Sequence, residues 1–215
     1  MNKLSIVVLI SGNGGNLQSI IDAIEAGQID AQIKAVISNN PDAYGLRRAK
    51  AHGIEQRIVN HRDYASRAAF DLALTACIEQ FNPDIILLAG FMRILGSAII
   101  EAYPRKILNI HPSRLPDYKG LNTYQRAIDN KELEHGVSIH IVTPELDGGP
   151  VIVRGRYPIM AGDTAVQLQS KGQRLEHRMY PQVLRWLAQG SLQILPDSIL
   201  FQDKVLERPI EFDNS

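Results

Sequence analysis

The sequence predicts an open, mostly parallel α/β sheet, with helices on both faces and an antiparallel hairpin towards its C-terminal end. Three observations carry that prediction. Leu4 to Ile10 and Ile85 to Ala89 are continuous apolar runs, the pattern of parallel strands buried on both faces. Each leads on to a helical pattern, and four such strand–helix units follow one another before Ile107, which requires right-handed crossovers in one sheet. The pattern then changes. Val137 to Val142 and Val151 to Tyr157 alternate in polarity and are joined by a long turn-rich loop, as in an antiparallel hairpin.

The first strand runs into Ser11-Gly12-Asn13-Gly14-Gly15-Asn16, after which Leu17, Ile20, Ile21 and Ile24 recur at helical spacing until Gly27. Strand, glycine-rich loop and helix aim free backbone N–H groups at an anion. A dinucleotide fingerprint fits poorly. Position 17 is leucine rather than the third glycine, and the second strand, Gln32 to Ile37, ends in Ser38-Asn39-Asn40 with no acid at its tip; the nearest is Asp42. A nucleoside-triphosphate loop is excluded because no Gly-Lys-Ser/Thr follows. A single phosphate or similar small anion suits the loop; the alternative is a tight turn needing glycine for geometry alone.

Tyr44 to His52 reads as a short helix closed by Gly53, and Ile54 to Val59 as a third strand. Tyr64 to Phe81 is a long helix with Phe70, Leu74, Cys77, Ile78 and Phe81 on one face, broken by Asn82-Pro83-Asp84. Gly90-Phe91-Met92-Arg93-Ile94-Leu95 follows the fourth strand. A glycine there lets backbone approach a flat ligand; otherwise the segment packs Phe91 and Met92 into the core. Ser97 to Tyr103 is a short helix.

The chain is organised around Ile107-Leu108-Asn109-Ile110-His111-Pro112. Positions two apart on a strand share a face, so Asn109 and His111 stand side by side. Pro112 ends the strand, which puts both at a strand's carboxyl end, where open α/β sheets bind ligands. An amide donor beside an imidazole suits stabilisation and protonation of a developing oxyanion; the bland alternative is a satisfied core histidine. Ser113 to Asn122 is a long Pro/Gly loop of the functional kind, and Thr123 to Asn130 a helix. His140, in the hairpin, reads as a structural partner rather than a catalyst. Asp147 precedes two glycines on a permissive loop and reads as a carboxylate for the site or as an Asx-turn residue. Asp163 or Thr164 caps a helix reaching about Ala188, buried along Leu175, Met179, Val183 and Trp186/Leu187 and kinked at Pro181. Leu192 to Leu195 and Ile199 to Phe201 are strand-like, followed by a polar tail expected to fray.

The 215 residues suit a single domain over 1–215. Lys+Arg and Asp+Glu both number 23, which argues against a broad nucleic-acid surface but not against a small anion pocket. One cysteine, Cys77, allows neither an internal disulfide nor a cysteine metal cluster, and no metal is expected. The first apolar run is too short for a signal segment or a membrane span, so a soluble cytoplasmic protein is expected.

Taken together, Ser11-Gly12-Asn13-Gly14, Ala89-Gly90-Phe91-Met92-Arg93-Ile94-Leu95, Asn109-Ile110-His111-Pro112-Ser113 and Leu146-Asp147-Gly148-Gly149-Pro150 resemble the folate-dependent formyltransferase superfamily, and within it the phosphoribosylglycinamide formyltransferase family. The resemblance spans about residues 4 to 190 and implies a Rossmann-like sheet. It implies a nucleotide-binding half over about 1–105, a folate and catalytic half over about 106–190, and an extension over 191–215. The implied reaction is attack of the glycinamide ribonucleotide amine on the formyl carbon of 10-formyltetrahydrofolate, a co-substrate, with no metal. Asn109, His111 and Asp147 would be the catalytic trio, Asp147 raising the His111 pKa. Asn13, Gly14, Gly15, Asn16, Gln173 and Glu176 would hold the nucleotide. Arg67, Met92, Arg93, Ile94, Leu95, Asn109 and the loop Thr143, Pro144, Glu145, Leu146, Asp147 would hold the folate. The implied partners are small molecules, with no nucleic acid or membrane and with a homodimer left open. Gly15 stands where relatives often have serine, and Leu121-Asn122-Thr123-Tyr124 replaces histidines common there, so that segment is given no catalytic role. The nearest rival is 10-formyltetrahydrofolate hydrolase, which shares the trio but usually has a preceding regulatory domain; a sheet starting at residue 4 is expected to leave no room for one. A non-catalytic nucleotide-binding module is the alternative of another class.

Overall fold

An uninterrupted apolar strand must hide both faces, and β1 (Leu4–Ile10) does so. In the computed structural model, which describes residues 3–213, Ile6, Val8 and Ile10 enter one core and Val7 and Leu9 the other. The chain continues through α1 (Gly15–Glu25), β2 (Ala31–Ser38), α2 (Tyr44–Ala51) and β3 (Gln56–Ile58). α3 (Arg67–Glu79), β4 (Ile85–Leu88), α4 (Ser97–Ala102) and β5 (Ile107–His111) follow. The third strand is shorter than the Ile54 to Val59 span expected for it. The third helix starts later than expected because His61–Asp63 forms a separate 3-10 turn and Ser66 caps α3 by accepting the Ala69 N–H. α5 (Thr123–Asp129), β6 (Glu134–Ile141), β7 (Val151–Pro158) and α6 (Ala165–Ala188) complete the region that carries the motifs. Thr164 and Gln167 form a capping box at the start of α6, which runs without a break through Pro181.

β8 (Leu192–Ile194), β9 (Ile199–Phe201) and β10 (Lys204–Val205) form a small antiparallel sheet, and β11 (Ile210–Phe212) comes last. The main sheet has eight strands in the order β11-β7-β6-β5-β4-β1-β2-β3. β1 to β5 pair in parallel, and β5–β6 and β6–β7 are antiparallel. The polar tail, expected to fray at its end, carries two unforeseen strands before that end. Ile210–Phe212 adds a parallel edge strand to β7, and Glu211 pairs with Arg114 and Arg154. Only Asn214 and Ser215 of that tail lie outside the described residues.

The sheet order turns back between β4 and β1, which opens a crevice at their carboxyl ends. α1, α2 and α6 cover one face of the sheet and α3 and α4 the other. Tyr180 of α6 is fully buried, and its O–H donates to the Leu88 carbonyl at 2.9 Å and the Leu108 carbonyl at 3.3 Å. One phenol thus ties together the two strands whose ends carry the main motifs. Among the described residues, no helix is long and apolar enough to cross a membrane, and no His/Cys/Asp/Glu group is placed to hold a metal.

Candidate active site

β5 ends at His111, just before the proline that cannot extend it. In the antiparallel register with β6, Asn109 lies opposite His140 and His111 opposite Ser138. Asn109 Nδ2 is 3.1 Å from His140 Nε2. His140 Nδ1 lies 3.0 Å from the Ile141 carbonyl, so it carries the ring hydrogen there and leaves Nε2 to accept from the amide. Asp147 Oδ1 is 3.6 Å from the same Nε2, too far for a hydrogen bond, and the shorter contact to Asn109 decides the pairing.

Asp147 reaches the site from the β6–β7 loop. Its φ is +48°, a left-handed conformation that Asp tolerates better than most residues. Gly149 packs so closely that a Cβ would overlap the Ile141 carbonyl oxygen, so glycine alone fits there. The Gly120 N–H donates to Asp147 Oδ2 at 2.9 Å, and His111 Nδ1 is 3.4 Å from the same oxygen. His111 Nε2 donates to the Tyr118 carbonyl at 2.9 Å. The trio foreseen from the motifs therefore meets in space, with His140 as an added neighbour.

Burial pushes His111 down; the Tyr118 hydrogen bond and the Asp147 charge pull it back only in part. The ring titrates below its ordinary 6.5 and is neutral at pH 7. The carboxylate raises the ring as expected, but desolvation outweighs it. Burial would raise Asp147, but polar contacts to His140 and the Gly120 N–H, with the facing His111 imidazole, more than offset it. Asp147 sits below the usual carboxylate range.

A cavity of about 840 Å³ opens in front of these groups, within the range of small-molecule sites. Met92, Arg93, Ile94, Leu95, Asn109 and the loop from Thr143 to Asp147 all line it, with Phe91, Val142 and Leu121 to Tyr124. Phe91 is buried, whereas Met92 is 71% exposed, so only the first of the two joins the core. Arg67 does not line the cavity. It is exposed at the start of α3, where its charge and that of Arg93 act on the buried Asp71. Asp71 Oδ2 accepts the Gly96 N–H at 2.9 Å, fixing the far end of the 91–96 segment.

The expected nucleotide residues gather elsewhere, at the N-terminus of α1. Gly14 caps that helix at φ +73°, and Asn16 Nδ2 donates to Glu176 Oε2 at 2.8 Å. Asn16 Oδ1 is buried without a hydrogen-bond partner. Burial raises the Glu176 carboxyl despite the Asn16 N–H. Gln173 is exposed one turn earlier on α6. The sequence reading missed Arg48, which donates to the Asn13 carbonyl at 2.9 Å, and His177. A Cβ at Gly15 would stand 2.9 Å from His177 Nε2, so the imidazole takes up the space a serine would need. Burial, aided by the Arg48 charge, holds His177 below its ordinary value.

A family model described as formyl transferase matches residues 4–184. Phosphoribosylglycinamide formyltransferase of Escherichia coli strain K12 is 47% identical over 191 residues, covering 89% of this chain and 90% of the relative. The chain belongs to the phosphoribosylglycinamide formyltransferase family. The solved family structure from Coxiella burnetii is 46% identical with a TM-score of 0.93, covering 98% of this chain and all of that one. The human trifunctional purine biosynthetic protein adenosine-3 is 39% identical over 192 residues, 89% of this chain but 19% of that longer protein. As a formyltransferase, the chain also brings Tyr118, Gly120 and His140 into the site. The Pro/Gly-rich loop at 113–122 was the only sequence signal for the first two; the third was singled out on its hairpin strand and read as a structural partner.

Proposed function

We propose that this protein transfers the formyl group of 10-formyltetrahydrofolate to the amine of N1-(5-phospho-D-ribosyl)glycinamide, giving N-formylglycinamide ribonucleotide and tetrahydrofolate in de novo purine synthesis. The observation that carries this reading is the His111 Nδ1–Asp147 Oδ2 approach of 3.4 Å on the wall of the large cavity.

Attack of the amine on the formyl carbon generates an oxyanion. One Asn109 N–H is taken by His140, and the other is free to donate to that oxygen. His111 spends Nε2–H on the Tyr118 carbonyl, so Nδ1 is its working atom. Neutral at the start, Nδ1 takes the proton released by the attacking nitrogen. The resulting imidazolium is held by Asp147 and returns that proton to the departing folate nitrogen. The C–N bond to the acceptor forms, the C–N bond to the folate breaks, and no net proton is gained or lost.

Within this reading the nucleotide lies against Asn13 to Asn16, Gln173 and Glu176, and the folate against Met92 to Leu95 and the 143–147 loop, with Arg67 beyond the cavity rim. The unpartnered Asn16 Oδ1 and the largely apolar walls of the cavity support that division. The chain acts as one domain in the cytoplasm on small molecules, and a homodimer is testable by sedimentation equilibrium. The deciding experiment follows folate consumption with and without glycinamide ribonucleotide. Transfer is expected only with the amine present; consumption without it would favour the hydrolase, and binding without turnover would favour a nucleotide-binding module.

A further inference from the structure

We propose that Ser11 is a positioning residue that couples the two substrate sites, so that filling either one tightens the other. The inference rests on the assignment of nucleotide and folate given above.

β1 and β4 lie side by side where the sheet order turns back. β1 continues into the glycine-rich nucleotide loop and β4 into the 90–95 folate segment. Ser11 lies at that junction and is hydrogen-bonded to both neighbours. Its backbone N–H donates to the Gly90 carbonyl at 3.1 Å. Its Oγ accepts the Met92 N–H at 2.7 Å and donates its own hydrogen to Asn39 Oδ1 at 2.5 Å. Asn39 is 4% exposed at the end of β2, so the hydroxyl is held from a third strand. Asn40 Nδ2 reaches the Ser11 carbonyl at 3.4 Å.

Core packing holds the folate segment at Phe91 and Leu95, and the residues between them are left to backbone hydrogen bonds. Residues 91–96 are in neither helix nor strand, and the side chains of Met92 and Ile94 are 71% and 56% exposed. Its backbone is pinned by Ser11 at Met92 and by Asp71 at Gly96. A ligand that orders the nucleotide loop therefore also orders the Ser11 hydroxyl and, through it, the Met92 N–H. The second ligand meets a segment whose ordering entropy is already spent. Linkage requires the effect to be equal in both directions.

The test uses the full-length protein with glycinamide ribonucleotide and tetrahydrofolate, a pair that cannot transfer a formyl group. Calorimetry measures each binary Kd and each Kd in the presence of the other ligand. The wild type is expected to bind either ligand at least about fivefold more tightly once the other is in place. Ser11→Ala is expected to bring that factor close to one, and Ser11→Thr, which keeps a hydroxyl, to retain it. Amide hydrogen exchange needs no variant: glycinamide ribonucleotide alone is expected to slow exchange at the Met92 N–H. Independent binding in the wild type, coupling that survives Ser11→Ala, or unchanged Met92 exchange with the nucleotide bound would each overturn the inference. Failure of either ligand to bind at all would instead remove the functional assignment beneath it.

Discussion

His111 Nδ1 faces Asp147 Oδ2 across 3.4 Å, and both side chains are more than nine-tenths buried. The ring arrives on a strand end, the carboxylate on a loop. In water such a pair would be worth little. Buried, and with Nε2 fixed on the Tyr118 carbonyl, it commits one nitrogen to proton exchange and gives the protonated ring a counter-charge.

His111→Ala removes the imidazole that stands on the cavity wall 3.4 Å from Asp147. Turnover is expected to fall by roughly 10²–10⁴. Steady-state assays with both substrates saturating check this. A fall confined to KM would mean that the ring only binds.

Asp147→Asn keeps the shape of the side chain and removes the charge. Burial already holds His111 below 6.5, and the carboxylate is one of the influences pulling it upward. Without the anion the imidazole becomes harder to protonate. The acid limb of the kcat/KM–pH profile is therefore expected to start below pH 6.5 in the wild type and to move lower still in the variant, with reduced turnover. A limb that stays in place would make Asp147 a turn residue alone.

Particular residues show how far the sequence could be read. β1 was legible because its apolar run is local, and β5 because Pro112 stops it; the Asn109/His111 pair followed from strand alternation alone. The meeting with Asp147 is non-local, and its composition was foreseen from motif resemblance rather than from periodicity. The contact of Asn109 with His140 depends on the β5–β6 register, which no single strand encodes. β11 was missed because Ile210–Phe212 is too short to stand out within a polar tail. The upward pull of Asp147 on His111 was legible, but the net downward shift was not, because burial depth is a property of the packed cavity.

His140→Leu removes the acceptor that fixes the Asn109 amide. The amide is then free to rotate and to present its oxygen towards the reacting carbon. Turnover is expected to fall by about tenfold to a hundredfold, the scale of a misplaced catalytic group. KM for the folate is expected to change little. His140→Gln, whose side-chain oxygen can accept the same N–H, is expected to recover part of the loss. Equal losses in the two variants would assign His140 to packing alone.

Glu176→Gln separates stability from binding at the nucleotide end. Glu176 is 8% exposed, and burial raises its carboxyl above the ordinary 4.5. A raised carboxyl binds its proton more tightly folded than unfolded. The wild type therefore loses stability as pH rises from 4.5 through the raised folded value. The amide has no such titration and still accepts the Asn16 N–H. The melting temperature of the variant relative to the wild type is expected to climb across that window and then level off, at about 2–4 °C per kcal/mol for a chain of this size. KM for glycinamide ribonucleotide is expected to rise about tenfold, the scale of a lost charge-assisted hydrogen bond. Calorimetric scans at several pH values, run beside kinetics on the same preparations, read both effects. A stability difference flat in pH would mean that Glu176 is not the buried carboxylate described here, whatever happens to KM.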